Sequence, residues 1–252
     1  MLGRLRRDLT STFSVGGWLP VLDRAPGRSL ALTFDDGPSP ATTPDVLALL
    51  RRYEAKATFF LCGHRVQRWP ELVEAIVADG HGVYAHGFSH VRLDALAPAA
   101  LFEELTHTEA LLSRVRPTPS PYLIRLPFAA GHRAPRVHRL LRSWRSDCQV
   151  VHWRVALEDH ALADGCESEA ELEQRCIRRA DAAFARSDLT GSIVLLHEDP
   201  LGVEAPLAPR IAPLLLQALL ARAERSGMSM AAVQPRRRFM PWEPYVRFVA
   251  ME

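Results

Sequence analysis

The 252-residue chain has only four cysteines, Cys62, Cys148, Cys166 and Cys176, with no C-x-x-C pair among them. That excludes a disulfide framework, and we expect reduced thiols. Long apolar runs are also missing. The best stretch, Ile211 to Ala223, is interrupted by Pro213, Gln217 and Arg222, short of the ~20 apolar residues of a membrane span. Charge of one sign is missing too. The 31 basic and 29 acidic side chains leave +2 with histidines neutral, which argues against nucleic acid as the main partner. No internal repeat or low-complexity tract is visible.

The N-terminus lacks a clean targeting signal. Arg4, Arg6 and Arg7 are followed by Thr10, Ser11, Thr12, Ser14 and a Gly-Gly pair. There is no apolar h-region and no A-x-A site, and Gly3 is out of place for myristoylation. We therefore expect a cytoplasmic address. Arg4, Arg6, Arg7, Phe13 and Trp18 leave room for weak contact with an anionic membrane surface.

What is present is a globular composition, 48% hydrophobic and 24% charged, of a size suited to one domain with a full core. Short apolar runs alternate with helical periodicity. Seven strands are expected near Leu30–Phe34, Ala57–Leu61, Gly82–Ala85, Tyr122–Leu126, Gln149–Val155, Ser192–Leu196 and Met228–Val233. Between them, Thr43-Pro44 and Pro70 open helices, Gly80 and Gly227 close them, and Ser168 with Glu171 forms a capping box. This alternation predicts an α/β fold with a mostly parallel sheet, either open or closed into a barrel.

The chemistry gathers where the strands stop. The first strand ends in Thr33-Phe34-Asp35-Asp36-Gly37-Pro38, two adjacent carboxylates at a forced turn. The third runs into His86-Gly87-Phe88-Ser89-His90, where the i, i+4 spacing lets two imidazoles reach one ion. The fourth ends in Arg125-Leu126-Pro127-Phe128, and a buried arginine there needs an anion. Asp159-His160 follows the fifth strand, and His197 follows Leu195-Leu196 on the sixth. In parallel α/β folds the C-terminal strand ends share one face, where active sites are built.

These residues resemble the motifs of the polysaccharide deacetylases of the NodB-homology type, carbohydrate esterase family four. Thr33 to Pro38 match T-F-D-D-G-P. His86 and His90 match H-[ST]-x-x-H, Arg125, Pro127 and Phe128 match R-x-P-[YF]-G, and Leu195 and His197 match L-x-H. Gly87 stands for the usual Ser or Thr and Ala129 for Gly. In the fourth motif, D-x-x-D-W, Ala156 replaces the first Asp and His160 the Trp, leaving Asp159.

The resemblance implies a single-domain distorted (β/α)7 barrel over residues 28–234, with an extension at 1–27 and an aromatic, basic tail at 235–252. It implies a metal-dependent hydrolase that removes N-acetyl groups from an amino-sugar carbohydrate. Asp36, His86 and His90 would hold Zn2+ or another divalent ion such as Co2+, Mn2+ or Ni2+. Asp35 would be the general base, oriented by Arg125, and His197 the general acid, held by Asp159. Pro127, Phe128 (through its N–H), Leu195 and His160 would contact substrate. The alternatives are an esterase, deformylase or ureide hydrolase on the same metal, a silent glycan-binding domain, and an iron(II) oxygenase built on the two-histidine, one-carboxylate set.

Overall fold

The structure is a computed structural model that describes residues 19–25, 29–199 and 205–236. The basic and aromatic N-terminal residues, and the tail aromatics beyond Arg236, lie outside the described residues. The described residues hold nine short strands: β1 (Val21–Leu22), β2 (Leu30–Asp35), β3 (Thr58–Leu61), β4 (Gly82–Ala85), β5 (Tyr122–Ile124), β6 (Cys148–Val151), β7 (Val155–Ala156), β8 (Ile193–His197) and β9 (Met230–Ala231). Seven α-helices accompany them: α1 (Thr43–Arg52), α2 (Gly63–Arg68), α3 (Pro70–Ala78), α4 (Pro98–Leu112), α5 (Pro135–Trp144), α6 (Glu169–Phe184) and α7 (Ala208–Ser226). Among the described residues no helix is long and apolar enough to cross a membrane.

All strand ladders are parallel and fall into two arcs, β4-β3-β2-β8-β7 and β1-β6-β5, with β9 beside β2. The result is a distorted α/β barrel whose ladder does not close. Side chains and irregular backbone bridge the seams. Between β4 and β5, the Tyr122 hydroxyl accepts the Ala85 N–H at 3.2 Å and donates to Glu109 at 2.6 Å. On the other side, residues 19–25, expected in the N-terminal extension, run between the arcs. Pro20 and Leu22 accept from Val150 and His152, and Asp23 accepts from Ile193 at 3.2 Å.

The run expected as one strand over Gln149–Val155 is two. β6 joins the smaller arc and β7 the larger, and the chain switches sheets through His152, Trp153 and Arg154. Apolar periodicity does not reveal which neighbour a strand selects. Two helix details also differ. Thr42, not Thr43, is the N-cap of α1. In the capping box, Ser168 accepts the Glu171 N–H at 3.2 Å, but the Glu171 carboxylate reaches the Glu167 N–H and not that of Ser168.

β2 is the central strand and is buried along its whole length. Its side chains alternate. Phe34 faces the helices and stacks on Phe59 at 5.1 Å. Thr33 and Asp35 face the interior, where both meet Arg125. Parallel register places Thr33 beside Leu195 and Asp35 beside His197. The apolar layer thus holds the strand, and the opposite pleat delivers polar groups to one mouth. Burying each phenylalanine contributes ~1.5–3 kcal/mol. The four cysteines are free, and three of them are buried. Gln149 of β6 exchanges two hydrogen bonds with the Arg236 backbone, at 2.6 and 2.9 Å, anchoring the start of the tail.

Candidate active site

The C-terminal strand ends bring together the sequence-identified residues. Asp35 closes β2, His86 follows β4, Arg125 follows β5, His197 closes β8, and Asp159 opens a short turn after β7. Asp35, Asp36, His86, Arg125 and Asp159 are all at most 3% exposed. Burying ionisable groups so densely is costly unless each finds a partner, and each does.

Asp36 and the two histidines form one cluster. Donor atoms of Asp36, His86 and His90 all lie within 4.8 Å of one another. Asp36 Oδ1 is 3.1 Å from His90 Nε2 and 3.5 Å from His86 Nε2. Left-handed backbone at Asp36 (φ 73°) and His90 (φ 56°) turns these side chains inward, a conformation that costs non-glycine residues energy and persists where the surroundings enforce it. His86 Nδ1 donates to the Arg125 carbonyl at 2.9 Å, which leaves Nε2 as the lone-pair atom facing Asp36. Burial holds the His86 pKa down, against the pull of Asp35 and Asp36. For Asp36, burial opposes the charge, but the His90 hydrogen bond and the nearby His86, His197 and His90 outweigh it and keep the carboxyl below its usual range. Two imidazoles, with the His86 tautomer fixed by the Arg125 carbonyl, and one carboxylate are a donor set that fits a divalent ion with open positions.

Asp35 sits next to this cluster but is held differently. Its Oδ1 accepts from Arg125 Nη1 at 2.8 Å, and its Oδ2 lies 3.7 Å from His86 Nε2. The same Nη1 donates to Thr33 Oγ1 at 2.6 Å. The guanidinium lies over the Phe60 ring, 4.5 Å from its centroid, and 5.6 Å from that of Trp153. An aromatic and carbonyl socket therefore aims a permanent cation at Asp35.

Asp159 grips His197, which register places beside Asp35. Its Oδ2 accepts the His197 backbone N–H at 2.6 Å, and its Oδ1 lies 2.8 Å from Nδ1. Burial disfavours the imidazolium, yet the Asp159 carboxylate, with Asp36 and Asp35 nearby, lifts the His197 pKa to about 9. This histidine is a protonated donor at neutral pH.

The expected substrate contacts line the mouth. Leu195 is nearly buried and shares the inward pleat of His197, with Thr33 on one side and Ala156 on the other. Pro127 is buried, whereas Phe128 is 62% exposed, has left-handed backbone (φ 58°), and sets its ring 4.6 Å from that of His90. His160 is exposed and perpendicular to His197 at 6.3 Å. Each of these two outer rings thus stands beside one histidine of the site.

Two glutamates escaped the sequence reading. Glu198, directly after His197, is fully buried. Burial pushes its pKa up to about 8. It accepts a short hydrogen bond from Thr43 Oγ1 and lies against Gly37, where a Cβ would overlap it. Glu104 of α4 accepts the Phe88 and Ser89 N–H groups at 2.7 and 2.9 Å. A signal existed for Glu104, since it shares a helix face with the buried Leu101, Leu105 and Thr108. A carboxylate on an apolar stripe asks for a buried donor.

Known proteins resemble this chain in sequence and in fold. The family model for polysaccharide deacetylase matches residues 23–143. A chitooligosaccharide deacetylase of Bradyrhizobium sp. (strain ANU 289) is 32% identical over 171 residues, 68% of this chain and 71% of that protein. The peptidoglycan-N-acetylmuramic acid deacetylase PdaC of Bacillus subtilis (strain 168) is 35% identical over 135 residues, 52% of this chain and 27% of that longer protein. The solved PdaC structure aligns with TM-score 0.62 and 25% identity, covering 82% of this chain and 89% of that one. A Bacillus anthracis protein described as a CE4 family pseudoenzyme shares the fold at TM-score 0.64 and 18% identity, over 84% and 66% of the two chains. The fold therefore does not by itself imply activity, and the site must be argued from its own residues. With its paired aspartates, its histidine pair and the Bradyrhizobium relative matched across most of both chains, this chain belongs to the polysaccharide deacetylase family.

Proposed function

We propose that the protein is a metal-dependent N-deacetylase acting on an N-acetylated amino-sugar oligomer, polymer or glycoconjugate. One observation carries this reading. A three-residue cluster suited to an ion shares the strand-end face with an Arg125-held carboxylate and a protonated, Asp159-held histidine. Amide hydrolysis needs two proton-handling groups, one to take the proton of water and one to protonate the leaving nitrogen. The relatives named chitooligosaccharide and peptidoglycan deacetylases support the same bond type.

A divalent ion held by Asp36, His86 and His90, with Zn2+ as the first choice for this nitrogen and oxygen donor set, supplies Lewis acidity and lowers the pKa of water near neutral pH. Asp35 takes the proton as water attacks the acetamide carbonyl carbon. Arg125 aims Asp35 through the 2.8 Å hydrogen bond from Nη1 to Oδ1. The Phe128 backbone N–H faces the developing oxyanion. As the C–N bond breaks, His197 passes its proton to the sugar nitrogen, so acetate and a free amine leave. Leu195 bounds the space for the acetyl methyl. Phe128 and His160 form the outer walls, and an imidazole where the family motif has tryptophan makes that wall more polar.

The test is product release from purified protein on a panel of N-acetylchitooligosaccharides, monomeric N-acetylglucosamine, an O-acetylated sugar and an N-formyl sugar. Acetate from the N-acetyl substrates, lost on chelation, is the expected result. Turnover confined to the ester or formamide would replace the N-deacetylase reading with another hydrolase on the same groups. Binding without turnover by the metal-loaded protein would leave a glycan-binding domain.

A further inference from the structure

The loop from His86 to His90 carries two of the three ion-binding donors and is built from unfavourable backbone. Gly87 has φ 80° and His90 φ 56°. Helices hold it from two sides. The first residues of α2 donate to its carbonyls, Gly63 N–H to Gly87 at 2.9 Å and His64 N–H to Phe88 at 3.0 Å. Its amides face Glu104 of α4. One carboxylate oxygen takes the Phe88 N–H at 2.7 Å and the Ser89 N–H at 2.9 Å, and the other takes the Ser89 hydroxyl at 2.5 Å. The Phe88 ring stacks on His107, one turn further along α4, at 4.2 Å. Hydrogen bonds to an ionised acceptor are short and strong, and three of them fix the orientation of the segment between the two histidines.

The same contacts account for a departure from the family motif. Position 87, usually Ser or Thr, is Gly87 here. A Cβ there would sit 3.3 Å from Glu104 Oε2 on a backbone that side chains rarely adopt. The hydroxyl in this loop comes from Ser89 instead.

We propose that Glu104 is a positioning residue for the ion site. It touches neither ion nor substrate. It locks the Gly87–Ser89 backbone so that His86 and His90 present Nε2 to the same point beside Asp36. Groups that orient metal ligands from behind change affinity by on the order of 10- to 100-fold when removed. This inference rests on the ion site of the proposed function but not on which bond is cleaved.

The test uses the full chain stripped of metal by chelation. The dissociation constant for Co2+ is measured by chelator competition, with the visible Co2+ spectrum and the melting temperature of the metal-free protein, for wild type, Glu104→Ala, Glu104→Gln and Ser89→Ala. We expect Co2+ binding to weaken on the order of 10- to 100-fold in Glu104→Ala and less in Glu104→Gln, which keeps one acceptor oxygen. Ser89→Ala should change least. The Co2+ spectrum should change in the alanine variant while the metal-free melting temperature of Glu104→Gln stays near wild type. Deacetylation by both glutamate variants should recover at saturating metal with KM for sugar unchanged. Co2+ affinity within twofold of wild type in folded Glu104 variants would overturn the proposal. So would a loss of affinity matched by collapse of the metal-free fold in both variants, which would make Glu104 a structural residue. Wild type that binds no Co2+ would instead overturn the ion site itself.

Discussion

Asp159 holds His197 at two points, through the backbone N–H at 2.6 Å and through Nδ1 at 2.8 Å. One carboxylate thereby fixes the position, the ring orientation and the charge of the histidine assigned as proton donor. Few contacts in the molecule bear so directly on its pH behaviour.

The His197 pKa is raised from 6.5 to about 9, so the stability this pair provides is fully present below pH 6.5 and is lost as pH rises through about 9. Asp159→Asn should bring the pKa back toward 6.5 and move the alkaline limb of the kcat/KM profile to lower pH by one unit or more. It should also lower stability at pH 6 by on the order of a few kcal/mol. pH–rate profiles and urea unfolding at pH 6 and pH 9.5 check both. An alkaline limb that stays in place would remove His197 as the acid.

Arg125 is buried and bonded to Asp35, Thr33 and the Val151 carbonyl. Removing it in Arg125→Ala leaves Asp35 buried without its cation, and we expect a loss of ~3–5 kcal/mol in urea unfolding. Arg125→Lys keeps charge but not the fork whose Nη1 meets Asp35 and Thr33 while Nε and Nη2 reach the Val151 and His152 carbonyls. It should fold and lose on the order of 10²–10⁴ in kcat. Wild-type kcat in the lysine variant would show that the fork is not needed.

Glu198 gives a slope of the opposite kind from an Asp or Glu held in an ion pair. Its folded pKa of about 8 exceeds the ordinary 4.5, so the native state binds the extra proton between those values and stability falls as pH rises through that window. Metal-free Glu198→Gln should lose this slope. Unfolding of the chelated proteins at pH 5, 6.5 and 8 measures it, and equal slopes in the two proteins would contradict the assignment.

His160 replaces the family's tryptophan at an exposed position. His160→Trp should therefore leave stability within about 0.5 kcal/mol of wild type. It should lower KM for chitooligosaccharides severalfold with little change in kcat, because a flat ring on the wall binds sugar in ground state and transition state alike. An unchanged KM would place substrate elsewhere.

Much of this was legible in the sequence, for physical reasons that differ by element. The core strands β2, β3 and β4 are mostly apolar, as buried parallel strands tend to be. Asp35, Asp36, His86, Arg125 and His197 were visible because each lies at a strand's C-terminal end or one residue beyond it, and His90 because it repeats His86 at i+4. Features made by distant partners were not visible. Val21–Leu22 is too short to show a period, yet it joins β6. The β6–β7 break depends on which arc each half pairs with. Thr43 reads as a cap, but Glu198 and the Ser39 N–H engage its hydroxyl. Glu198 meets Thr43 from a distant element, and the helix face that marks Glu104 does not tell which turn it binds.

The most direct measurement is a Zn2+ titration of chelated protein, following acetate release from N-acetylchitooligosaccharide and bound zinc together, for wild type and Asp35→Asn. The account expects release to rise with zinc and saturate at one ion per chain in wild type, and Asp35→Asn to bind the ion but release almost no acetate. Release that persists without metal, or that survives in Asp35→Asn, would contradict it.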